Sequence, residues 1–504
     1  MREYVVKYRT DANVHNRPQA RPFARSRTCQ CSLMRANQTT LLLTLTQKQN
    51  TNMFRSQRVR DPLHNLIEFG ANQFEDAMWR VVQTSEFQRL RRVKQLGLSE
   101  FVYPGATHSR FAHSLGVFHT ARLLMKIVER HLGESRWRGN DAQHALAAAL
   151  VHDVGHGPFS HAFEAVGKRM NLPLANHERI SDRLIRESEI GQVLDSKLGN
   201  GFASNVADVI KNGPGSIYSA VVSSQFDADR LDYMRRDRLM TGTQHGAIDF
   251  DWLMANLEVG SVPYGVDDTK VGEVETFVLG PKAVYAAETY VLGLFQLYPT
   301  VYFHKATRGA EKILGELLYR TLYLAANSNW SKTGLPNKHP LVSFAKNPDK
   351  LERMLALDDT VLWGALSFLA NASDETINNL ARRLRGRQLY KCIDVRERLR
   401  TKLGDNASDE AVEQACQKVD TAIAEWLGTT TDVAPRIMTD KADRIPYRPL
   451  QESKGPLNQI RIKTDSGELV DLVKRSKVVA AISTFKLYRV YMPLPLVPAQ
   501  SAGM

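Results

Sequence analysis

The chain has 504 residues, 43% of them hydrophobic and 24% charged, with a formal charge of +13 and a pI near 9.5. A single core stops growing at roughly 250–300 residues, so two structural units are expected, and the composition excludes a disordered, collagenous or disulfide-stapled chain. No apolar run approaches the ~18 residues of a membrane span, and the basic balance directs attention to phosphate-bearing ligands.

Residues 1–52 have neither helical nor alternating periodicity and are rich in Arg, Asn, Gln and Thr, so they are read as a disordered basic tail. They hold nine Lys/Arg against Glu3 and Asp11, a net of +7, which leaves only +6 for the other 452 residues and weakens a nucleic-acid reading of the whole chain. The run LLLTLT at 41–46 is too short for a signal-peptide core. Met53, just ahead of the first patterned segment, is a candidate natural start. Cys29 and Cys31 lack the companions of a zinc site, and with Cys392 and Cys416 scattered the cysteines fit a reducing, cytosolic setting.

From 53 to 326 helices dominate. FAHSLGVFHTARLLMKIVERHL sets Leu115, Phe118, Leu123, Leu124, Ile127 and Val128 at helical spacing, and DAQHALAAALVHDVG is an Ala/Leu helix that Gly155 stops. GHGP at 155–158 forces a sharp turn before FSHAFEAVGKRM resumes helical spacing. Alternation over 261–280 predicts a small inserted hairpin, and the following long helix is interrupted near Pro299. Residues 327–340 read as a linker, 341–430 as charged helices, and 458–493 as strands, a helix and a final strand. The expectation is a mainly α protein: a helical core over 53–326 with an inserted hairpin, then a helical extension and an α+β lobe over 341–504.

Chemistry concentrates at His152 and Asp153, where an apolar helix ends. Burying two adjacent ionisable groups is costly unless they have partners, and a divalent cation is a natural one. His113 and Asp229 are the favoured additional ligands. The plain alternative has His152 capping its helix and Asp153 pairing with an arginine. Against it stand three histidines within HDVGHGPFSH and the pair His177-Glu178, a cluster suited to metal-assisted phosphate hydrolysis, in which Glu164 fixes an imidazole tautomer.

The runs QRLRRVKQLGLSEFVYPGATHSRFAHSLGV, ALVHDVGHGPFSHAFE, NHERI and FDADRLDYMRRD, in that order, resemble the HD-domain deoxynucleoside triphosphate triphosphohydrolases. The match covers about 58–320 and, more faintly, the C-terminal lobe through RVYMP, with no room before residue 58 for the sterile alpha motif that vertebrate members carry. The resemblance implies an HD-domain helical core that releases triphosphate and a deoxynucleoside. It places metal ligands on His113, His152, Asp153 and Asp229, and the catalytic set on His156, Glu164 and His177, with His161 near the 5′ ester oxygen. Substrate contacts fall on Arg110, Gln95, Leu96, Tyr233, Asp237, Tyr302, His304 and Lys305, and Arg230 replaces a phosphate-binding lysine.

Departures accompany it. Leu294 stands where the family has a second triphosphate arginine, Gln83 where an aspartate reads a guanine activator, and Arg60 where an asparagine precedes DP, while Arg91 keeps the place of the activator-phosphate arginine. The implied cofactor is a divalent ion, Mn, Mg, Fe, Zn or Ni. The implied partners are deoxynucleoside triphosphates, a nucleotide activator and further copies of the chain. Two alternatives stay open: another phosphoester activity of the same site, on single-stranded nucleic acid or nucleotide monophosphates, and a binding regulator without catalysis.

Overall fold

The computed structural model describes residues 54–212, 215–266, 269–404, 406–429, 437–445, 447 and 459–493. The basic tail, Met53, Cys29 and Cys31 lie outside them. An N-terminal hairpin, β1 (Gln57–Asp61) and β2 (Asn65–Phe69), leads into α1 (Gln73–Gln83). Ser109 then caps α2 (Arg110–Arg136), its hydroxyl accepting from the Ala112 amide. Helix α2 runs between two hydrophobic cores: Leu115 and Phe118 join one, and Val117, Ala121, Leu124 and Val128 the other. Its expected single stripe is therefore only part of what it buries, and Leu123 and Ile127 stay partly exposed.

Helix α3 (Gly139–Val151) ends as expected beside His152. The turn after it needs glycine: a Cβ on Gly155 would lie 2.3 Å from the His177 carbonyl oxygen and 2.4 Å from the Ser181 nitrogen. Helices α4 (His161–Arg169) and α5 (His177–Glu187) follow, and later α6 (Ala228–Thr241), capped by Asp227 and stopped by left-handed Gly242. Where α2 crosses α6 a side chain is excluded, since a Cβ on Gly116 would lie 2.1 Å from Asp232 Oδ1.

The expected hairpin is β3 (Leu257–Val266) and β4 (Thr269–Leu279). Helix α7 (Val284–Leu297), a π-turn over Tyr298–Tyr302 and α8 (Lys305–Ala326) form the interrupted helix expected around Pro299. The segment 327–340 is packed rather than open, with Thr333 and Leu335 buried. One core joins residues on both sides of it, from Ile67 to Leu384 and Tyr491.

Beyond it come α9 (Asp359–Leu369), α10 (Glu375–Arg385), β5 (Lys391–Asp394), α11 (Val395–Leu403) and α12 (Asp409–Thr429). The strands β6 (Met438–Arg444), β7 (Arg461–Lys463), β8 (Leu469–Asp471) and β9 (Phe485–Met492) complete the α+β lobe. The hairpin does not stand apart: the sheet order is β3-β4-β7-β8, with β7 parallel to β4. A second sheet, β5-β9-β6, lies against α8, where the Tyr491 ring approaches Gly309. Cys392 and Cys416 are free thiols, and no helix among the described residues is long and apolar enough to cross a membrane.

Candidate active site

Helices α2, α3 and α6 converge their functional ends. His113 is fully buried on α2, and its Nδ1 lies 2.8 Å from Asp232 Oδ2 while its Nε2 lies 2.9 Å from Asp229 Oδ1. His152 places Nδ1 3.0 Å from the Ala149 carbonyl. Its buried Nε2 has no hydrogen-bond partner, although Asp153 Oδ1 is 3.4 Å away and Asp229 Oδ1 3.7 Å away. One ligand atom each from His113, His152 and Asp153 lies within 4.8 Å of the others, and Asp229 approaches both imidazoles.

This donor set fits a divalent cation. An acceptor at each Nδ1 fixes the tautomer that offers Nε2, and carboxylates supply hard oxygen donors. Burial disfavours a charged His113 imidazole, yet the hydrogen bonds to Asp229 and Asp232 overcome it and raise the pKa to about 10. Asp229 is held well below the usual carboxylate range, its burial outweighed by the hydrogen bond to His113 and by the nearby His152 imidazole. Without an ion the site gathers a proton where positive charge is wanted.

Both parts of the plain alternative occur and coexist with the cluster. His152 bonds back to its own helix, and Arg110 Nη1 pairs with Asp153 Oδ2. The other oxygen of Asp153 faces the histidines, with His156 Nε2 at 3.2 Å. Burial and the neighbouring Arg110 push His156 well below its ordinary pKa, so it is neutral. His156 stacks on His177 with centroids 4.0 Å apart, and both His161 Nδ1 and His177 Nδ1 lie 3.3 Å from Glu164 Oε2.

These groups border a cavity of about 590 Å³ whose walls include Gln95, Leu96, Arg110, Asp153, His156, His161, His177, Asp229, Tyr233, Asp237 and Tyr302. Tyr302 donates to Asp237 Oδ2 at 2.9 Å, and His108 Nε2 lies 2.8 Å from Asp237 Oδ1. The buried Gln95 Oε1 has no partner.

Three anticipated contacts lie off this wall. The Arg230 guanidinium is bound to Asp227 Oδ2 at 2.6 Å and to the Ser224 carbonyl. His304 caps α8, and Lys305 is exposed. Leu294 is buried in the apolar core.

Sequence reasoning missed Asp232, whose carboxylate joins His113, His64 Nε2 at 2.6 Å and Arg236 Nε at 2.7 Å. Its position one helical turn after Asp229 was the available signal. It also missed Arg169, Arg308, Lys312 and Arg444 on the cavity wall, for which no local signal exists.

Comparison with known proteins agrees with this geometry. The HD domain family model matches residues 110–234, the stretch that contains all four anticipated metal ligands. The uncharacterized protein YwfO of Bacillus subtilis is 30% identical over 444 residues, covering 87% of this chain and 92% of its own length. The deoxynucleoside triphosphate triphosphohydrolase SAMHD1 of Mus musculus is 26% identical over 470 residues, 86% of this chain and 68% of that protein. A phosphohydrolase structure from Bacteroides thetaiotaomicron superposes with a TM-score of 0.65 at 26% identity, over 87% of this chain and 100% of the other. The chain belongs to the HD-domain family of phosphohydrolases.

Proposed function

We propose that the chain hydrolyses deoxynucleoside triphosphates to deoxynucleoside and triphosphate, with His113, His152, Asp153 and Asp229 as metal ligands. The observation that carries the reading is the cavity wall on which Asp153 and Asp229, the carboxylates of the cluster, meet Arg110 and the unpartnered Gln95 amide oxygen. A divalent ion held by His113, His152, Asp153 and Asp229 would supply Lewis acidity toward the phosphate and the attacking water. Arg110, already turned to Asp153, neutralises phosphate charge. Water forms a bond to the α-phosphorus and gives up a proton, the bond to the 5′ oxygen breaks, and the His161 imidazole, kept neutral by desolvation at the cavity wall, relays that proton to the 5′ oxygen. His161 and His177 share Glu164, which orients them for this transfer, and neutral His156 turns its Nε2 to Asp153 Oδ1, to which it donates. Gln95, Leu96, Tyr233, Asp237 and Tyr302 hold the sugar and base, while Arg230, His304 and Lys305 contribute to phosphate binding only if their side chains turn toward the cavity.

A second reading is supported by Leu294 in the core and Arg230 bound to Asp227, which leave fewer cations for a triphosphate: phosphodiester or monophosphate hydrolysis by the same groups. A metal-free, non-catalytic regulator is the third. The remaining proposals are a cytosolic homo-oligomer organised as residues 53–326 and 341–504, in which Arg91 keeps the activator-phosphate position while Gln83 and Arg60 argue against activation by GTP in the family's manner.

The test incubates the chain, and a His152→Ala, Asp153→Ala control, with each dNTP and Mn or Mg, with and without GTP. Triphosphate plus deoxynucleoside from the unmodified chain alone supports the reading. No turnover in any combination transfers it to nuclease or monophosphatase substrates, and a metal analysis finding no bound ion after loading favours the regulator.

A further inference from the structure

The loop that joins α3 to α4 has an unfavourable backbone. Phe159 has φ 52° and Ser160 φ 50°, in the left-handed region that side chains rarely adopt. Ser160 nevertheless accepts a 2.8 Å hydrogen bond from Arg110 Nε, and His156 and His161 flank the same turn. Something must hold this conformation.

The restraint comes from outside the stretch matched by the HD domain. Asp359 begins α9 and is only 2% exposed. Asp358 caps that helix, so Asp359 is free for other partners. Its Oδ1 accepts the Phe159 amide at 2.7 Å, and its Oδ2 accepts the Lys94 amide at 2.9 Å. Lys94 precedes Gln95, Leu96 and Gly97 on the cavity wall and forms a β-bridge with Ser109, the cap of the helix bearing Arg110 and His113. Arg89, fully buried, ties the same regions a second time, donating to the carbonyls of Leu357 at 3.0 Å, Val154 at 3.2 Å and His156 at 2.6 Å.

We propose that Asp359 is a positioning residue for the phosphohydrolase site: one carboxylate fixes the turn that sets His156, Ser160 and Arg110 together with the segment that presents Gln95. The proposal rests on the catalytic reading above only for its effect on turnover. Two backbone N–H donors converge on the two oxygens, a task that an amide performs by half, because its NH2 faces one of the donors. Burial pushes the Asp359 carboxyl up to about 6, against the stabilising Lys94 and Phe159 amides, so an uncharged amide of the same shape is the least disruptive replacement. Asp359→Asn therefore separates positioning from stability.

The experiment compares the full metal-loaded chain with Asp359→Asn and Asp359→Ala by hydrogen–deuterium exchange, metal content, thermal midpoint and turnover. Faster exchange confined to residues 91–97 and 155–161 is expected in Asp359→Asn, with metal content and midpoint kept and kcat reduced up to about 100-fold, the cost of displacing reacting groups by about 1 Å. Unchanged exchange in those segments, unchanged kcat, or a loss of kcat matched by global loosening or unfolding overturns the proposal. The exchange readout needs no substrate. A wild-type chain inactive on dNTPs but showing the local exchange change discards the dNTP reading alone, with turnover then followed on a phosphodiester such as bis(4-nitrophenyl) phosphate.

Discussion

The buried cluster behind Asp153 and the cationic wall of the cavity are built differently. In the cluster His113, Asp153, Asp232 and Arg236 are buried, and each side chain is oriented by another. On the wall Arg169, Arg308 and Lys312 come from helix surfaces and Arg444 from a strand of the C-terminal lobe, in contact with solvent. Several of these cations are already paired: Arg169 with Glu316 at 2.6 Å, Arg308 with Glu311 at 2.9 Å and with Asp440 at 2.5 Å. The difference teaches that the buried network is preorganised for the chemistry proposed above, whereas the solvent-facing cations Arg169 and Arg444 offer screened charge that tolerates replacement.

Breaking the cluster has the largest expected effect. Asp153→Ala removes a ligand and the partner of Arg110 together. A loss of metal and of about 10³-fold in turnover is expected, corresponding to about 4 kcal/mol of transition-state stabilisation. Elemental analysis beside a rate assay checks it, and a variant that retains full metal and rate removes Asp153 from the ligand set.

Next in size is Asp232→Asn, which spares the ligands and alters what orients them. Its carboxylate fixes His113 and holds Arg236, which also reaches Asp61 Oδ2 at 2.8 Å. Metal affinity is expected to fall about 10–100-fold, by competition with a chelating dye. The thermal midpoint is also expected to drop, because Arg236 stays buried with one partner weakened. An unaltered affinity with a lowered midpoint would make Asp232 a structural residue only.

How much of this was legible follows the same division. His152-Asp153 announced itself because an apolar helix ends on two ionisable residues, and the α2–α3–α6 convergence followed from motif order. The hairpin was visible in its alternation, but its parallel partner, Arg461–Lys463, is remote in the chain, and no periodicity encodes such pairing. Asp359 in the string LDDTV reads as an ordinary helix start, and only the tertiary approach of Phe159 and Lys94 shows another task. Arg230 misled for a local reason: Asp227, three residues earlier on the same helix entry, captures it.

A third prediction sharpens the contrast through protons. His113 has a raised pKa of about 10, so the metal-free chain carries its proton at neutral pH, and ion binding must release it. Affinity is therefore expected to rise about tenfold per pH unit below that value for each proton displaced. Calorimetry in buffers of different ionisation enthalpy measures the number released. The sign for metal-free stability is opposite: a folded pKa above the unfolded one gives a contribution fully present below about 6.5 and lost as pH rises toward 10. Metal affinity independent of pH between 6 and 9 would place the proton elsewhere.

The smallest effect belongs to the cationic wall. Arg444 is exposed, lies on β6 and has its guanidinium 5.8 Å from the Tyr298 ring centroid. A charge in that setting is worth less than about 1 kcal/mol, and salt screens it over a Debye length of about 8–10 Å. Arg444→Ala is therefore expected to raise KM by about two- to fivefold, leave kcat unchanged and flatten the dependence of KM on salt. A fall in kcat comparable to that of Asp232→Asn would contradict the division proposed between cluster and wall, because it would give an exposed strand residue a part in the transition state that its surroundings do not prepare.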